Sequence, residues 1–236
     1  MALLNIRSAA KVKFTSTGKM RVASPGYGYG GGGGGGGLSS GLQAFYRLSD
    51  TSDSSGNNRT LTNNGNVSFA SGKIGNAAVF DGSNWMEQSF TLDSLNSGDF
   101  TISSWVKSAG SHDTSYPQII CTSNNGGGLA YRTDTQEFYY VCQNGGQFIL
   151  GYGLPVDEQW HFILIKKTGT EYKLFVDNDY VTGTSESTFG AGNLLIGSIQ
   201  GSYGFNGQID AVGIWNRALT LGEVSSLYNS GAGIEL

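Results

Sequence analysis

Gly41-Leu42-Gln43-Ala44-Phe45-Tyr46-Arg47-Leu48-Ser49 places Leu42, Ala44, Tyr46 and Leu48 in alternation with Gln43, Arg47 and Ser49. Period-two alternation is the mark of a strand with one buried face. The same pattern returns at Phe100–Val106, Tyr116–Cys121, Phe138–Cys142, Phe148–Gly151, His161–Lys167, Tyr172–Val176, Leu194–Ile196 and Gln208–Trp215. Asn-Gly, Gly-Gly and Asp-Asn clusters separate these runs. Strand after strand with turn signals between them predicts an antiparallel sandwich or barrel and argues against βαβ units.

One helix is expected near the end. Thr220-Leu221-Gly222-Glu223 has the spacing of a capping box, in which the Thr hydroxyl and the Glu carboxylate each satisfy an unpaired amide. Leu221, Val224 and Tyr228 follow at helical spacing, and Gly231 suits a C-terminal cap. The expected helix docks on the edge of the sandwich.

The start of the chain reads differently. Residues 1–48 carry Arg7, Lys11, Lys13, Lys19, Arg21 and Arg47 and no acidic residue, leaving 8 basic and 18 acidic side chains for the rest. Val12 and Phe14, then Met20 and Val22 beyond Thr17-Gly18, alternate as a small hairpin. A lone hairpin is marginal in water, so residues 1–24 are expected to be a basic anchoring segment stabilised by a partner. Residues 25–40, with the octaglycine Gly30–Gly37, are expected to be a flexible linker, and residues 41–236 a single domain. The glycine run lacks the strand, helix and lysine of a phosphate-binding loop.

No stretch of 18 apolar residues is present, and Met1–Arg7 lacks the apolar core of a Sec signal peptide. Cys121 and Cys142 are expected to be free thiols, although strand neighbours of this kind could also pair. Two cysteines and two histidines, His112 and His161, do not make a zinc site.

The order of motifs over residues 41–236 resembles the LamG-like, concanavalin A-like lectin/glucanase superfamily. The matching segments are Gly41–Leu48, Asp53–Asn58, Gly72–Ser83, Phe100–Lys107, Trp160-His161-Phe162, Leu174–Asn178 and Phe205–Thr220. The resemblance implies an all-β, two-sheet antiparallel jelly-roll sandwich, and residues 1–40 have no counterpart in it. Asp53–Asn57 reads as a tight polar turn, Gly82 as a sharp strand end, and Asp177-Asn178 as a hairpin turn with Asn178 tolerating the left-handed conformation. Trp105, Trp160 and Trp215 are read as core or sheet-face residues.

Glucanases of this superfamily carry carboxylates at i and i+2 on one strand face. Glu87, Glu137, Glu158, Glu171 and Glu186 are followed at i+2 by Ser, Tyr, Trp, Lys and Thr, so a dyad is missing and a non-enzymatic protein is expected. His161 is read as packing and His112 as a loop residue without a nucleophile motif. The resemblance also implies one structural calcium ion held by Asp53, Asn57 and Asp210, the alternative being that Asp53 caps a turn and Asp210 faces solvent. Sugar binding, the commonest activity of the superfamily, needs an exposed ring and amides. Trp85, Tyr116, Tyr152 and Tyr203 are the candidates for stacking, with Asn84, Asn124 and Asn125 nearby.

The expected function is a lectin-like module for glycans or host cell-surface polysaccharide, tethered through residues 1–24 to a larger assembly. By analogy of architecture that assembly is a phage or virus particle, with the protein on the virion surface and released by lysis. The alternative is a purely structural virion decoration protein, capsid or tail, without sugar binding. Homo-oligomers are open; a membrane span or a nucleic-acid partner is not expected.

Overall fold

The computed structural model describes residues 12–14, 20–22, 37–91, 95, 98–124, 127–142, 145–154 and 157–236. Strand β1 (Val12–Phe14) pairs antiparallel with β2 (Met20–Val22), Val12 opposite Val22, as the alternation predicts. The remainder of the expected anchor, and the spacer up to residue 36, lie outside the described residues.

The strands that follow are β3 (Leu42–Tyr46), β4 (Thr62–Asn64), β5 (Ser68–Ser71), β6 (Asn76–Asp81), β7 (Trp85–Thr91), β8 (Phe100–Ser108), β9 (Gln118–Thr122) and β10 (Gly127–Arg132). Next come β11 (Glu137–Cys142), β12 (Phe148–Gly153), β13 (His161–Thr168), β14 (Glu171–Val176), β15 (Asp179–Thr184), β16 (Asn193–Ile196) and β17 (Asn206–Trp215), then helix α1 (Leu221–Tyr228). They form two antiparallel sheets, ordered β12-β11-β10-β9-β16-β7-β4 and β15-β14-β13-β8-β17-β6-β5, with β3 also paired to β17. The result is the expected jelly-roll sandwich.

Strand β17 is the spine of the second sheet. Its first half pairs with β6 and its second half with β3, while β8 runs along its other side. The register shifts between Asp210 and Gly213, where Ala211 takes a φ of 49°. That bulge turns Asp210 to the outer face and returns Val212 and Ile214 to the interior.

The main core lies between the sheets and is rich in aromatic rings. Tyr140 stacks on Tyr172 at 5.4 Å and on Phe189 at 6.1 Å, with Phe100 packed edge-on to Tyr172 and Phe189. A second core covers the outer face of the β17 sheet. There Phe45, Trp105, Phe162, Leu164 and Trp215 meet Leu219, Val224 and Leu227. Helix α1 therefore docks on a sheet face, not on the edge that the sequence suggested. Trp105 and Trp215 would otherwise face water, and burying each such side chain is worth about 1.5–3 kcal/mol or more.

The capping box forms as expected: Thr220 Oγ1 accepts from the Glu223 amide and Glu223 accepts from the Thr220 amide. Asn229 at φ 47°, not Gly231, supplies the left-handed C-cap. Residues 37–40, placed in the linker by composition, are bound to the domain. Trp215 Nε1 donates to Leu38 O at 2.7 Å, and Arg217 Nε donates to Ser40 O at 2.7 Å.

Candidate functional site: a cleft on the outer sheet face

Alternation along β11 sends Phe138, Tyr140 and Cys142 into the core and leaves Tyr139 and Val141 on the outer face. Tyr139 and Val141 belong to the floor of a cleft of about 420 Å³, joined by Gln118, Arg132 and Ile149 from the neighbouring strands. The rim is built by Tyr116 before β9, Gln147 before β12, and Ile199 and Tyr203 between β16 and β17.

The rim is held firmly. Ile199 and Ser202 exchange two backbone hydrogen bonds of 2.8 and 2.9 Å, closing a tight turn through Gly201 at φ 83°. The Gln118 amide then donates to Tyr203 O at 2.8 Å, and Gln118 Nε2 donates to Tyr116 O at 2.9 Å. One residue at the start of β9 thus ties both aromatic loops to the floor. Tyr116 stands edge-on to Tyr139 with centroids 6.5 Å apart, and the Arg132 guanidinium lies 5.5 Å over the Tyr116 ring. Burial pushes the Tyr139 phenol up to about 12, so it stays protonated and able to donate at neutral pH. Tyr116, Ile149 and Tyr203 are 38%, 40% and 50% exposed, and only Leu221 joins them as an exposed large hydrophobic among the described residues. Three of four such side chains converging on one concavity is the strongest sign of a binding surface on the molecule.

Of the expected stacking residues, Tyr116 and Tyr203 meet in this cleft. Tyr152 does not: it is on β12, its ring in the core and its hydroxyl donating to Asp179 at 2.9 Å. The sequence misassigned it to a loop because the strand runs two residues beyond the apolar run. Trp85 opens β7 and lies behind the rim turn near Gly201, outside the cleft lining. Asn84 is buried, its Oδ1 accepting from the Asp81 amide; Asn124 follows β9, and Asn125 lies outside the described residues. Gln118, Arg132, Tyr139, Val141, Gln147, Ile149 and Ile199 escaped the sequence reading. The available signal was Phe138–Cys142, apolar at every position, which implies that both faces of that strand are covered or used.

The calcium ligands take other roles. Asp53 accepts from the amides of Phe45, Ser55 and Arg59 and from Ser55 Oγ, which fills both carboxylate oxygens. Burial raises its pKa, but these hydrogen bonds outweigh it and hold the carboxyl below the usual range. Asn57 presents its Nδ2 to Leu42 O and Gln43 O, and Arg59 Nη1 donates to Gln43 O at 2.7 Å. A guanidinium stands where a cation would draw on these carbonyls. Asp210 is fully buried beneath a different turn, Oδ2 accepting from Lys73 and Ile74 at 2.8 Å. It shares no hydrogen-bond partner with Asp53, and among the described residues no group of three or more His, Cys, Asp or Glu side chains gathers where it could hold a metal ion. Asp210 also does not face solvent.

The cysteines are free and buried. Cys121 pairs with Gly128 and Cys142 with Gly127, so β10 runs between them and a disulfide is out of reach.

Residues 81–225 match a family model described as the concanavalin A-like lectin/glucanases superfamily, more than half of the chain. The chain belongs to that superfamily. Several solved structures share the fold of this concanavalin A-like chain. Domain 4 of an extracellular GH43 arabinanase from Geobacillus stearothermophilus, solved with arabinotriose, aligns with a TM-score of 0.65 and 22% identity over 82% of this chain and 98% of that one. The binding domain of paraclostridial mosquitocidal protein 1 aligns with a TM-score of 0.68 and 17% identity, over 82% of this chain and 53% of the other. The binding domain of botulinum neurotoxin serotype D gives 0.64 and 15%, over 81% and 52%. This chain spans about half the length of the two toxin domains. No curated protein sequence matches it.

His112 of this concanavalin A-like domain lies within hydrogen-bond reach of a serine hydroxyl. Its Nε2 lies 2.9 Å from Ser108 Oγ, while its Nδ1 accepts from the Asn206 amide at 3.2 Å. An acceptor role at Nδ1 places the proton on Nε2, which then donates to Ser108. The imidazole cannot take a proton from that hydroxyl, so the pair is not an activated nucleophile. His161 is gripped by two carboxylates, Nδ1 to Asp177 at 2.8 Å and Nε2 to Asp157 at 3.0 Å. Asp177 also accepts from the Phe162 amide and itself takes the left-handed turn position, φ 54°, expected of Asn178.

Proposed function

We propose that this chain is a non-catalytic carbohydrate-binding module whose ligand lies in the Tyr116–Tyr139–Tyr203 cleft. The observation that carries the reading is the makeup of that cleft. Exposed tyrosine rings suit the apolar face of a sugar, and the amides of Gln118 and Gln147 suit its hydroxyls. A neighbour of the same fold was solved with arabinotriose, which supports a saccharide as the ligand class. The module is carried, in this proposal, by a larger assembly to which residues 1–24 attach it, a phage or virus particle being the architecture it resembles.

The test is a glycan array probed with the wild-type chain and with Tyr203→Ala and Tyr116→Ala. Each variant is expected to lose at least about tenfold in affinity, on the order of 1.4 kcal/mol, with unchanged circular dichroism. A wild-type chain that binds no saccharide favours the second reading, a structural decoration module. That reading has its own support in the basic, hairpin-forming segment ahead of an acidic domain.

A further inference from the structure

We infer that the cleft selects an anionic saccharide, one whose carboxylate or sulfate is received by Arg132. This deepens the carbohydrate reading and rests on it. Arg132 is the one charged residue among those lining the cleft. Its Nε is buried without a hydrogen-bond partner, lying 3.2 Å from Asp134 Oδ1 but out of line for a bond. The Asp134 side chain is 52% exposed, and an ion pair with so exposed a partner holds the guanidinium only weakly. Glu137, the other nearby carboxylate, folds over Gly151 and accepts from Thr135 Oγ1. Neither acid therefore uses up the five N–H donors of the guanidinium.

The guanidinium is also pre-positioned. It lies over the Tyr116 ring, and Gln118 holds the Tyr116 carbonyl from the floor. A planar fork fixed at the side of an aromatic cleft is suited to two parallel hydrogen bonds with a carboxylate or sulfate. The sugar ring attached to that group would then lie against Tyr116 and Tyr203. A neutral saccharide offers the fork no anion to receive, and the preference for a charged ligand follows from that difference.

The experiment measures binding of wild-type, Arg132→Gln and Arg132→Lys chains to matched pairs of oligosaccharides. One set is oligouronides and sialylated glycans with their carboxyl-reduced or desialylated counterparts; the other is sulfated glycans with their desulfated forms. The wild type is expected to prefer the charged member of at least one pair by about tenfold or more. The pair that shows the preference identifies carboxylate or sulfate as the group received. Arg132→Gln brings the charged-to-neutral ratio close to one, and Arg132→Lys restores it only in part, because an ammonium lacks the fork. Equal or stronger binding of the neutral members, or a preference that survives Arg132→Gln, overturns the inference while leaving a carbohydrate site in place. Absence of binding to every saccharide overturns the carbohydrate reading and this inference with it.

Discussion

Asp210 shows how much one buried carboxylate can weigh. It has no exposed surface, Oδ1 lacks a partner, and burial pushes its pKa to about 6 from an ordinary 3.8. The folded state therefore binds more protons than the unfolded chain between those values, and stability falls as pH rises from about 4 to 6. Asp210→Asn removes that dependence. Urea unfolding at pH 4 and pH 7 should show the variant gaining about 2–3 kcal/mol on the wild type between the two. A constant offset at both pH values would refute the assignment. The histidines diverge in the same way. Burial outweighs the charge of Asp113 and pulls His112 below its usual 6.5, whereas for His161 the hydrogen bonds to Asp177 and Asp157 outweigh burial and raise it. A proton NMR titration should resolve two imidazoles on opposite sides of 6.5, and Asp157→Asn should lower only the higher one. The charged form of His161 stabilises the fold fully below about 6.5, and that contribution is lost as pH rises through its raised folded value. None of this was legible in sequence, because Trp160-His161-Phe162 and Asp177-Asn178 meet only through the pairing of β13 with β14.

At the scale of elements, local chemistry was readable and docking was not. The Thr220–Glu223 capping box announced α1 to within a residue, because it is written in contiguous residues. Which sheet surface the helix covers depends on Trp105, Phe162 and Trp215, distant in sequence and all sharing one face of the second sheet. The cleft was half legible for a similar reason. Tyr116 and Tyr203 advertised themselves as aromatic residues in loops, whereas Tyr139 and Arg132 sit in strands whose outward side only the sheet order reveals. The helix junction is tied down by Arg217, whose Nη2 lies 2.6 Å from Glu223. That pairing and the capping bonds hold the Glu223 carboxyl down at about 2. Its stabilising contribution is present above the unfolded value near 4.5 and is lost as pH falls through about 2. Thr220→Ala should cost about 0.5–2 kcal/mol at neutral pH. Trp105 stacks on Tyr228 of this helix at 5.8 Å, so tryptophan emission should shift to longer wavelength if the substitution loosens α1. An unchanged spectrum together with unchanged stability would show that packing, not the cap, holds the helix.

The whole molecule joins a basic head to an acidic body, and where one ends and the other begins is set by contacts rather than composition. Glycine-rich sequence runs to Gly37, yet Arg217 Nη2 donates to Gly37 O at 3.3 Å, and Leu38 packs into the second core beside Trp215. Contacts to the domain thus reach back at least to Gly37, which leaves seven glycines of the run ahead of it. In the proposed tether these seven residues span up to roughly 25 Å when extended. A display module on such a tether can reorient, which favours many weak sites acting together on a polymeric ligand. Two truncations separate the roles. A chain beginning at Gly37 should melt with the full-length protein and bind the same saccharides, and should fail to join the assembly. A chain beginning at Leu42 loses the Leu38 side chain and the three hydrogen bonds that Trp215 and Arg217 donate to Gly37, Leu38 and Ser40, a loss of about 3–4 kcal/mol at roughly 1 kcal/mol per bond plus partial burial of one leucine. For a domain of this size that corresponds to a melting temperature lower by roughly 6–16 °C. If both truncated chains melt alike, the five residues before β3 are passengers and the compositional boundary was the right one. If the chain from Gly37 still joins the assembly, the attachment surface lies on the sandwich, and the basic hairpin has some other use.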